Sequence, residues 1–393
     1  MSFELLKPVS DKVLAHSAIA PQQSIGRRIE LHTSKKGLPE LEGLHLAILG
    51  VPEARNAVLQ RQEPLDLDQW RLSFYSLMMG NWSLNMADLG DVPSGATALD
   101  TYVLLQEIVS ELLQHHIIPI VIGATQDLTY PLYRAFDSVL PQVNLVGVDA
   151  RFDFGNAQEL ISSQTYMSRI LTEEPHRLAH YTNLGYQSFL NTQEENDLMD
   201  RLFFDAYRLG RLTQDLTLAE PVLREAHLCS IDARVVEASY MGQGSSFLPN
   251  GLNGREICGV ARYAGLADDL RLFGLFELDN HIQSLQLGAQ IIWYFVEGFS
   301  LRRPERPQAD HPDFVKYTVA GEDQDLVFYQ SLVTERWWVE VPFAVSLNNK
   351  SGTPALLSCT KKEYEGACQD HIPERWYTAQ KKAGACPLSS LIH

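Results

Sequence analysis

Residues 101–127 read TYVLLQEIVSELLQHHIIPIVIGATQD and contain two hydrophobic patterns in succession. In the first half, apolar residues recur at the three- and four-residue spacing of an amphipathic helix, namely Leu104, Leu105, Ile108, Leu112 and Leu113. Residues 117–122 are then continuously apolar, which is typical of a strand buried on both faces, and a glycine follows. The stretch therefore predicts a helix that leads into a buried parallel strand.

The same alternation extends along most of the chain. Further strands are predicted at 44–50, 143–148, 183–186, 228–231 and 272–276. Helices are predicted from Leu128 onward and at 163–171, 255–267 and 284–299. Strands that alternate with helices of this length indicate βαβ units. The predicted fold class is therefore α/β, with a mainly parallel sheet between two helical layers.

The chain is predicted to have three parts, with boundaries at 43/44 and 300/301. An N-terminal arm occupies 1–43, the α/β domain 44–300 and a small C-terminal α+β appendage 301–393. The second boundary is placed before the charged, proline-rich stretch 302–307, which cannot continue a helix. The appendage contains the alternating stretch 337–341, and its paired tryptophans are either a ligand-binding face or packing onto the main domain.

Composition restricts the classes of protein that the chain can be. Its 393 residues, 45% hydrophobic and 21% charged, are typical of a globular protein. No apolar run approaches the roughly 20 residues of a membrane span, and the first residues do not resemble a signal peptide. The net charge of −17 argues against a nucleic-acid partner.

Cysteine usage favours a reducing compartment. The five cysteines are odd in number and form no C-x-x-C pair; they are Cys229, Cys258, Cys359, Cys368 and Cys386. Neither a disulfide framework nor a zinc knuckle is indicated. A cytoplasmic protein without nucleic-acid or membrane partners is therefore expected.

Charged residues follow two of the predicted strands at two-residue spacing. Asp149, Arg151 and Asp153 come after one strand, and Asp232 and Arg234 after another. In an extended strand end, residues at i, i+2 and i+4 project to the same side, so each set is expected to meet one target. Two acidic sets at neighbouring strand ends are how a two-metal carboxylate site is usually assembled.

These stretches, in this order, resemble the ureohydrolase family of arginases, agmatinases and formimidoylglutamases. That family carries a Gly-Gly-Gly/Asp-His motif, then Asp-Ala-His-x-Asp, then Ser-x-Asp-x-Asp, which together hold two manganese ions. The counterparts are Gly123 to Asp127, Asp149 to Asp153 and Ser230 to Arg234. The resemblance covers about 44–299, is greatest to a bacterial formimidoylglutamase-like group, and implies an arginase-like fold and a homo-oligomer.

Carried over residue by residue, the resemblance implies an altered metal site. Three of six ligand positions hold other residues: Gln126, Arg151 and Arg234. The remnant catalytic cluster is Asp149, Asp153 and Asp232. Glu277 matches the carboxylate that receives the substrate's cationic group, although capping of a strand end explains it equally well.

Arginine has no lone pair for a metal and stays protonated at biological pH. A guanidinium about 4 Å from a divalent ion costs roughly 8 kcal/mol at an effective dielectric near 20. The arginines are therefore predicted to replace the metal charge, and Arg151→Ala is predicted to cost about 2–5 kcal/mol of stability. Ordinary surface ion pairing is the alternative interpretation of this cluster.

Two functional hypotheses follow. In the first, the protein is a pseudoenzyme without a metal cofactor, which binds a small amidine or guanidino ligand or has a regulatory or structural role. In the second, it is a hydrolase of linear carbon–nitrogen bonds in formimidoylglutamate, agmatine or another guanidino compound, with Mn²⁺ held by Asp149, Asp153 and Asp232. A serine hydrolase is not indicated, since Ser230 lacks the Gly-x-Ser-x-Gly context.

Overall fold

A computed structural model of the chain describes residues 2–58, 64–155, 159–242, 247–308, 311–321, 324–341 and 355–384. The four described cysteines are free, and Cys386 lies outside the described residues. The described strands are β1 Glu30–Leu31, β2 Leu46–Val51, β3 Met86–Asp91, β4 Ile118–Gly123, β5 Val143–Val148, β6 Leu178–Tyr186, β7 Asp205–Arg208, β8 Leu228–Asp232, β9 Leu272–Phe276, β10 Phe314–Val319, β11 Leu326–Ser331, β12 Trp337–Val341 and β13 Ala355–Cys359.

The α-helices within the described residues are α1 Asp11–Ile19, α2 Ile25–Arg28, α3 Leu67–Tyr75, α4 Ala98–Gln114, α5 Thr129–Arg134, α6 Tyr166–Thr172, α7 Gln193–Arg201, α8 Leu209–Gln214, α9 Ala219–Arg224, α10 Ala238–Met241, α11 Gly254–Leu266, α12 Ile282–Ser300, α13 Lys361–Ala367 and α14 Glu374–Gly384. Short 3₁₀ helices occupy Ser2–Leu5, Gln126–Leu128, Ala135–Ser138, Ser188–Leu190, Leu216–Leu218 and Ala233–Val235.

The first nine strands form one sheet in the order β1-β3-β2-β4-β9-β8-β5-β6-β7, and every neighbouring pair is parallel. Because parallel neighbours need crossover connections, helices cover both faces of this sheet. The predicted α/β fold class is confirmed.

Alternation along β4 explains the two cores. Ile118, Ile120 and Ile122 pack into one hydrophobic cluster, which also contains the buried faces of α11 and α12. Ile117 and Val121 pack into the cluster on the other face, with the buried side of α4. A strand with apolar side chains on both faces must be covered twice, and this produces the three layers.

Most predicted elements are present with small shifts at their ends. Helix α4 begins earlier than the apolar pattern suggests because Thr97 and Asp100 form a capping box there. Strand β3 was not predicted from periodicity, since its buried Asp88 interrupts the apolar run. That carboxylate accepts a hydrogen bond from Nε of the buried Arg71 at 2.8 Å. The short edge strand β7 was also missed, because its sequence, DAYR, is largely polar.

The last four described strands form a separate antiparallel sheet in the order β10-β11-β12-β13. Trp337 and Trp338 on β12 are only 4% and 5% exposed. The guanidinium carbon of Arg224 lies 4.6 Å from the centre of the Trp338 ring. The Trp337 ring stacks on that of Tyr364, with 4.6 Å between the ring centres. The paired tryptophans therefore pack inside the protein, which is the second of the two interpretations above.

No helix in the described part of the chain is long and apolar enough to cross a membrane.

Candidate functional site

The candidate site lies at the carboxyl ends of four adjacent strands, β4, β9, β8 and β5. The strand register pairs Val148 with Ile231 and Asp232 with Phe276. Asp149 and Glu277 are the next residues along their strands, so they flank Asp232 on either side. These positions, distant in sequence, are brought together because β8 lies between β5 and β9.

Arg234 forms ion pairs with two carboxylates of the site. Asp232 accepts hydrogen bonds from the Arg234 backbone N–H at 2.7 Å, from Nε at 3.0 and 3.1 Å and from Nη2 at 2.6 Å. Nη2 of Arg234 also lies 3.5 Å from Oε1 of Glu277. Although burial lowers the pKa of this guanidinium, the carboxylates of Asp232 and Glu277 hold that pKa well above its usual value. The cluster thus contains a permanent cation supplied by the protein.

The guanidinium of Arg151 is bonded outside the cluster, although its charge still lowers the pKa of Asp153. Its Nη1 donates to the Leu190 carbonyl at 2.9 Å, and within the described residues Arg151 forms no ion pair. Asp149, Arg151 and Asp153 were expected to meet one target, and the structure instead shows the Arg151 guanidinium bonded to a carbonyl of another segment. The backbone is no longer extended after Asp149, and Asp153 has a left-handed φ of 55°. Charge balance at the aspartates therefore depends mainly on Arg234.

Asp149 and Asp153 form a buried acidic pair, each 3% exposed. Oδ1 of Asp149 accepts from the Arg151 N–H at 2.8 Å. Its Oδ2 and both oxygens of Asp153 receive no N–H or O–H from the residues that the structure describes. Burial, followed by repulsion from Asp153 and Asp232, raises the pKa of Asp149 well above its usual range. Burial also raises the pKa of Asp153 to about 7, against the attraction of Arg234. A carboxyl proton on one acid can therefore bridge the pair at neutral pH.

Gln126 is fully buried and connects the strand ends on the other side of the cluster. Its backbone N–H donates to Oε1 of Glu277 at 3.0 Å. Its Nε2 donates to the Ser230 hydroxyl at 2.9 Å and to the Tyr166 hydroxyl at 3.5 Å. Its Oε1 accepts no hydrogen bond from the described residues. The amide is thus held in one orientation, with its oxygen unpartnered.

Ser230 lies in the third motif stretch, whereas Tyr166, which contacts Gln126, and Thr129, which contacts Ser230, were not predicted as part of the site. The Ser230 hydroxyl lies 2.6 Å from that of Thr129, so it is bonded on two sides and buried. A signal for Ser230 was present in the sequence, since it precedes Asp232 by two residues and so shares its face of β8. Tyr166 comes from α6, and nothing in the local pattern indicates its contact with Gln126.

The sequence and the fold were both compared with those of known proteins. Residues 52–296 match the Arginase family as a whole, which is more than half of the chain. The chain belongs to the arginase family. A guanidinobutyrase of Pseudomonas aeruginosa is 28% identical to this arginase-family chain over 151 residues, 34% of the chain and 46% of that enzyme. The match thus spans about half the length of the curated relative.

Solved structures share the fold of this arginase-family protein. A Trypanosoma cruzi formiminoglutamase solved with manganese matches with a TM-score of 0.60 and 18% identity, covering 67% of this chain and 96% of that one. A Bacillus subtilis formimidoylglutamase matches with a TM-score of 0.60 and 17% identity, covering 66% and 88%. At this level of identity the likeness concerns the fold alone. The expected resemblance to ureohydrolases is confirmed at the level of family and fold.

In the described residues, no three or more His, Cys, Asp or Glu side chains are grouped so that they could hold a metal ion. Both carboxylate oxygens of Asp232 accept hydrogen bonds from the Arg234 side chain.

Proposed function

We propose that this arginase-family protein binds a small ligand, or has a regulatory or structural role, at a centre whose cation is Arg234 rather than a pair of manganese ions. The observation that carries the proposal is the guanidinium placed against Asp232 and Glu277, with N–O distances of 2.6 and 3.5 Å. Asp232 has both oxygens engaged by this one side chain. A metal ion would have to displace the arginine to use them.

The residues do not fit a two-ion manganese centre, for an electrostatic reason. The Arg234 side chain is only 11% exposed, so solvent screens its charge weakly. Arginine is also not deprotonated at biological pH. A divalent ion about 4 Å from that charge is repelled by roughly 8 kcal/mol at an effective dielectric near 20. This is comparable with the binding free energy of a micromolar complex, about 8 kcal/mol. A second ion beside Arg234 is therefore strongly disfavoured.

The proposed ligand is a small amidine or guanidino compound that pairs with Glu277. The ion pair of Arg234 with Glu277, at 3.5 Å, is longer than its ion pair with Asp232, at 2.6 Å. A cationic ligand can replace this contact while Arg234 keeps its short bonds to Asp232. The backbone N–H of Gln126 holds the Glu277 carboxylate in place. This proposal makes Glu277 the ligand-binding residue, and Gln126, Arg151 and Arg234 the altered metal-ligand positions.

A second candidate function is favoured by the unpartnered oxygens of Gln126, Asp149 and Asp153. Hard divalent cations prefer carboxylate and amide oxygens, so a single Mn²⁺ could be held there by two carboxylates and one amide. An ion so bound lowers the pKa of its water. The protein would then be a hydrolase of linear carbon–nitrogen bonds with a one-ion centre.

Metal analysis and a ligand panel separate these functions. The protein is loaded with manganese, dialysed and analysed for bound metal, alongside an Asp153→Asn variant. It is then titrated calorimetrically with agmatine, arginine, guanidinobutyrate and formimidoylglutamate, with assays for urea, ammonia and formamide. The proposal expects no tightly held manganese and no product. It also expects binding of one panel member, weakened at least tenfold by Glu277→Gln.

Two bound ions per chain, or metal-dependent turnover, would contradict the proposal. One ion per chain that is lost in Asp153→Asn, together with product formation, would establish the second candidate instead. Binding unaffected by Glu277→Gln would show that the ligand does not use this carboxylate.

A further inference from the structure

A cleft of about 450 Å³ opens at the carboxyl ends of β6 and β7, and its lining includes none of the aspartates of the candidate site. Its walls are the segment 186–189, the start of α8 and residues 250–251. This volume is within the range of small-molecule sites, roughly 300–1,000 Å³, and the carboxyl edge of a parallel sheet is where ligands bind in open α/β folds.

The charge of the cleft is opposite to that of the protein. The chain has a net charge of −17, yet the charged side chains lining the cleft are Arg208 and Arg211, with no carboxylate among them. Within the described residues, the guanidinium of Arg208 forms no hydrogen bond or ion pair, and the residue is exposed. Arginine donates its N–H groups in pairs to carboxylate and phosphate oxygens. The cleft therefore offers a cationic group that is free to bind an anion.

The second arginine of the cleft, Arg211, contacts Glu374 and Tyr207. Its Nη1 lies 3.0 Å from Glu374, but the two side chains are 51% and 73% exposed. Exposed ion pairs of this kind contribute little to stability, so an anion can exchange with Glu374 at little cost. The guanidinium of Arg211 also lies over the Tyr207 ring, 5.3 Å from its centre, and this cation–π contact helps to position the guanidinium at the cleft.

The opposite wall provides an apolar surface on a rigid support. Phe189 is 69% exposed and lines the cleft. The neighbouring Gln187 donates to the Asn250 carbonyl at 3.0 Å and accepts from its Nδ2 at 3.1 Å. These reciprocal bonds join two walls of the cleft. An aromatic or other apolar group can pack on Phe189 while an anion binds the arginines.

This cleft is separate from the site of the proposed function. None of the aspartates, nor Glu277, is among the residues that line the cleft, and the backbone N–H of Gln187 joins the cleft wall to the Ala150 carbonyl at 3.0 Å. We propose that the cleft binds a small organic anion, whose carboxylate or phosphate pairs with Arg208 and Arg211 and whose apolar part packs on Phe189. This inference does not depend on the metal content of the other site.

The test uses phenyl phosphate and benzoate as probes, with inorganic phosphate and benzyl alcohol as the polar and apolar controls. Binding to the full chain is measured by calorimetry at low salt. Two variants alter the cleft, Arg208→Glu and Gly210→Leu. A Cβ at Gly210 would meet no heavy atom within 4 Å, so the leucine fills open space without a clash. Arg28→Glu, at an exposed arginine on α2, is the matched charge control.

We expect phenyl phosphate or benzoate to bind at least tenfold more tightly than inorganic phosphate and benzyl alcohol. Arg208→Glu and Gly210→Leu should each weaken that binding at least tenfold, whereas Arg28→Glu and Glu277→Gln should leave it within twofold. The relative affinity of the two probes decides between phosphate and carboxylate. Absence of binding to the folded wild type at millimolar probe, or equal effects of Arg208→Glu and Arg28→Glu, would overturn the inference. Equal affinities for phenyl phosphate and inorganic phosphate would show that the apolar group of the ligand does not pack on Phe189.

Discussion

Replacing Arg234 by methionine tests whether its guanidinium is the cation of the aspartate cluster. The guanidinium and the Asp232 carboxylate are 11% and 1% exposed, and Glu277 is 8% exposed. Truncating one partner of a buried ion pair costs about 3–5 kcal/mol, because the remaining charge stays buried without compensation. Methionine keeps most of the side-chain volume, so the loss reports on charge more than on packing.

Arg151→Met is the matched comparison, since both arginines follow a strand-end aspartate by two residues. Among the described residues, the Arg151 side chain makes one hydrogen bond, to the Leu190 carbonyl, and it is partly exposed. Its loss is expected to cost about 1 kcal/mol. This is below the 2–5 kcal/mol that the sequence alone predicts, because that prediction placed both guanidinium groups on the aspartates.

The free energy of unfolding is measured by urea titration at pH 7.5, followed by tryptophan fluorescence, with metal-free buffers. Arg234→Met should lose at least about 2 kcal/mol more than Arg151→Met. A double variant that also carries Asp232→Asn should recover part of the loss, since the unpaired charge is then removed. Equal losses for the two single variants, or a larger loss for Arg151→Met, would refute the assignment of the cation to Arg234.

Three further predictions concern pH, metal affinity and the second sheet. Burial raises the pKa of Asp153 to about 7 from 3.8, so the stability from this group is fully present below about pH 4 and is lost as pH rises through 7. At pH 8 the free energy of unfolding of Asp153→Asn, measured by urea titration, should therefore exceed that of the wild type by up to about 4 kcal/mol. A stability difference between the two proteins that does not grow between pH 5 and 8 would contradict this. The triple change Gln126→His, Arg151→His and Arg234→Asp should raise manganese affinity by orders of magnitude in calorimetric titration; a folded variant that binds no better than wild type would show that the motif alignment is wrong. Arg375→Ala should expose the C-terminal sheet to limited proteolysis before the main domain, since this buried side chain bonds Asp205, Glu225 and the Ser358 carbonyl; cleavage at the wild-type rate would count against that role.

The local hydrophobic pattern is sufficient to predict the class of fold, because a strand that is buried on both faces has a continuous run of apolar residues. The continuous apolar run before Gly123 and the helical period before it correspond to β4 and α4. Strands β5 and β9 have the predicted bounds, 143–148 and 272–276. Strand β3 escapes prediction because the partner of Asp88 is Arg71 on α3, and only the folded chain places that arginine beside it.

By itself the sequence determined that Asp149 and Asp232 end buried strands, since a buried apolar run followed by a carboxylate is a local signal. It could not determine that β8 lies between β5 and β9, and only this order places Asp232 between Asp149 and Glu277. Nor could it separate Arg151 from Arg234, which have the same spacing from an aspartate. The tertiary structure directs Arg234 back onto Asp232 through the turn at Ala233–Val235, whereas Leu190 offers Arg151 a carbonyl from another segment. A side chain's partner depends on what packs against it, and that is decided by contacts between segments far apart in the chain.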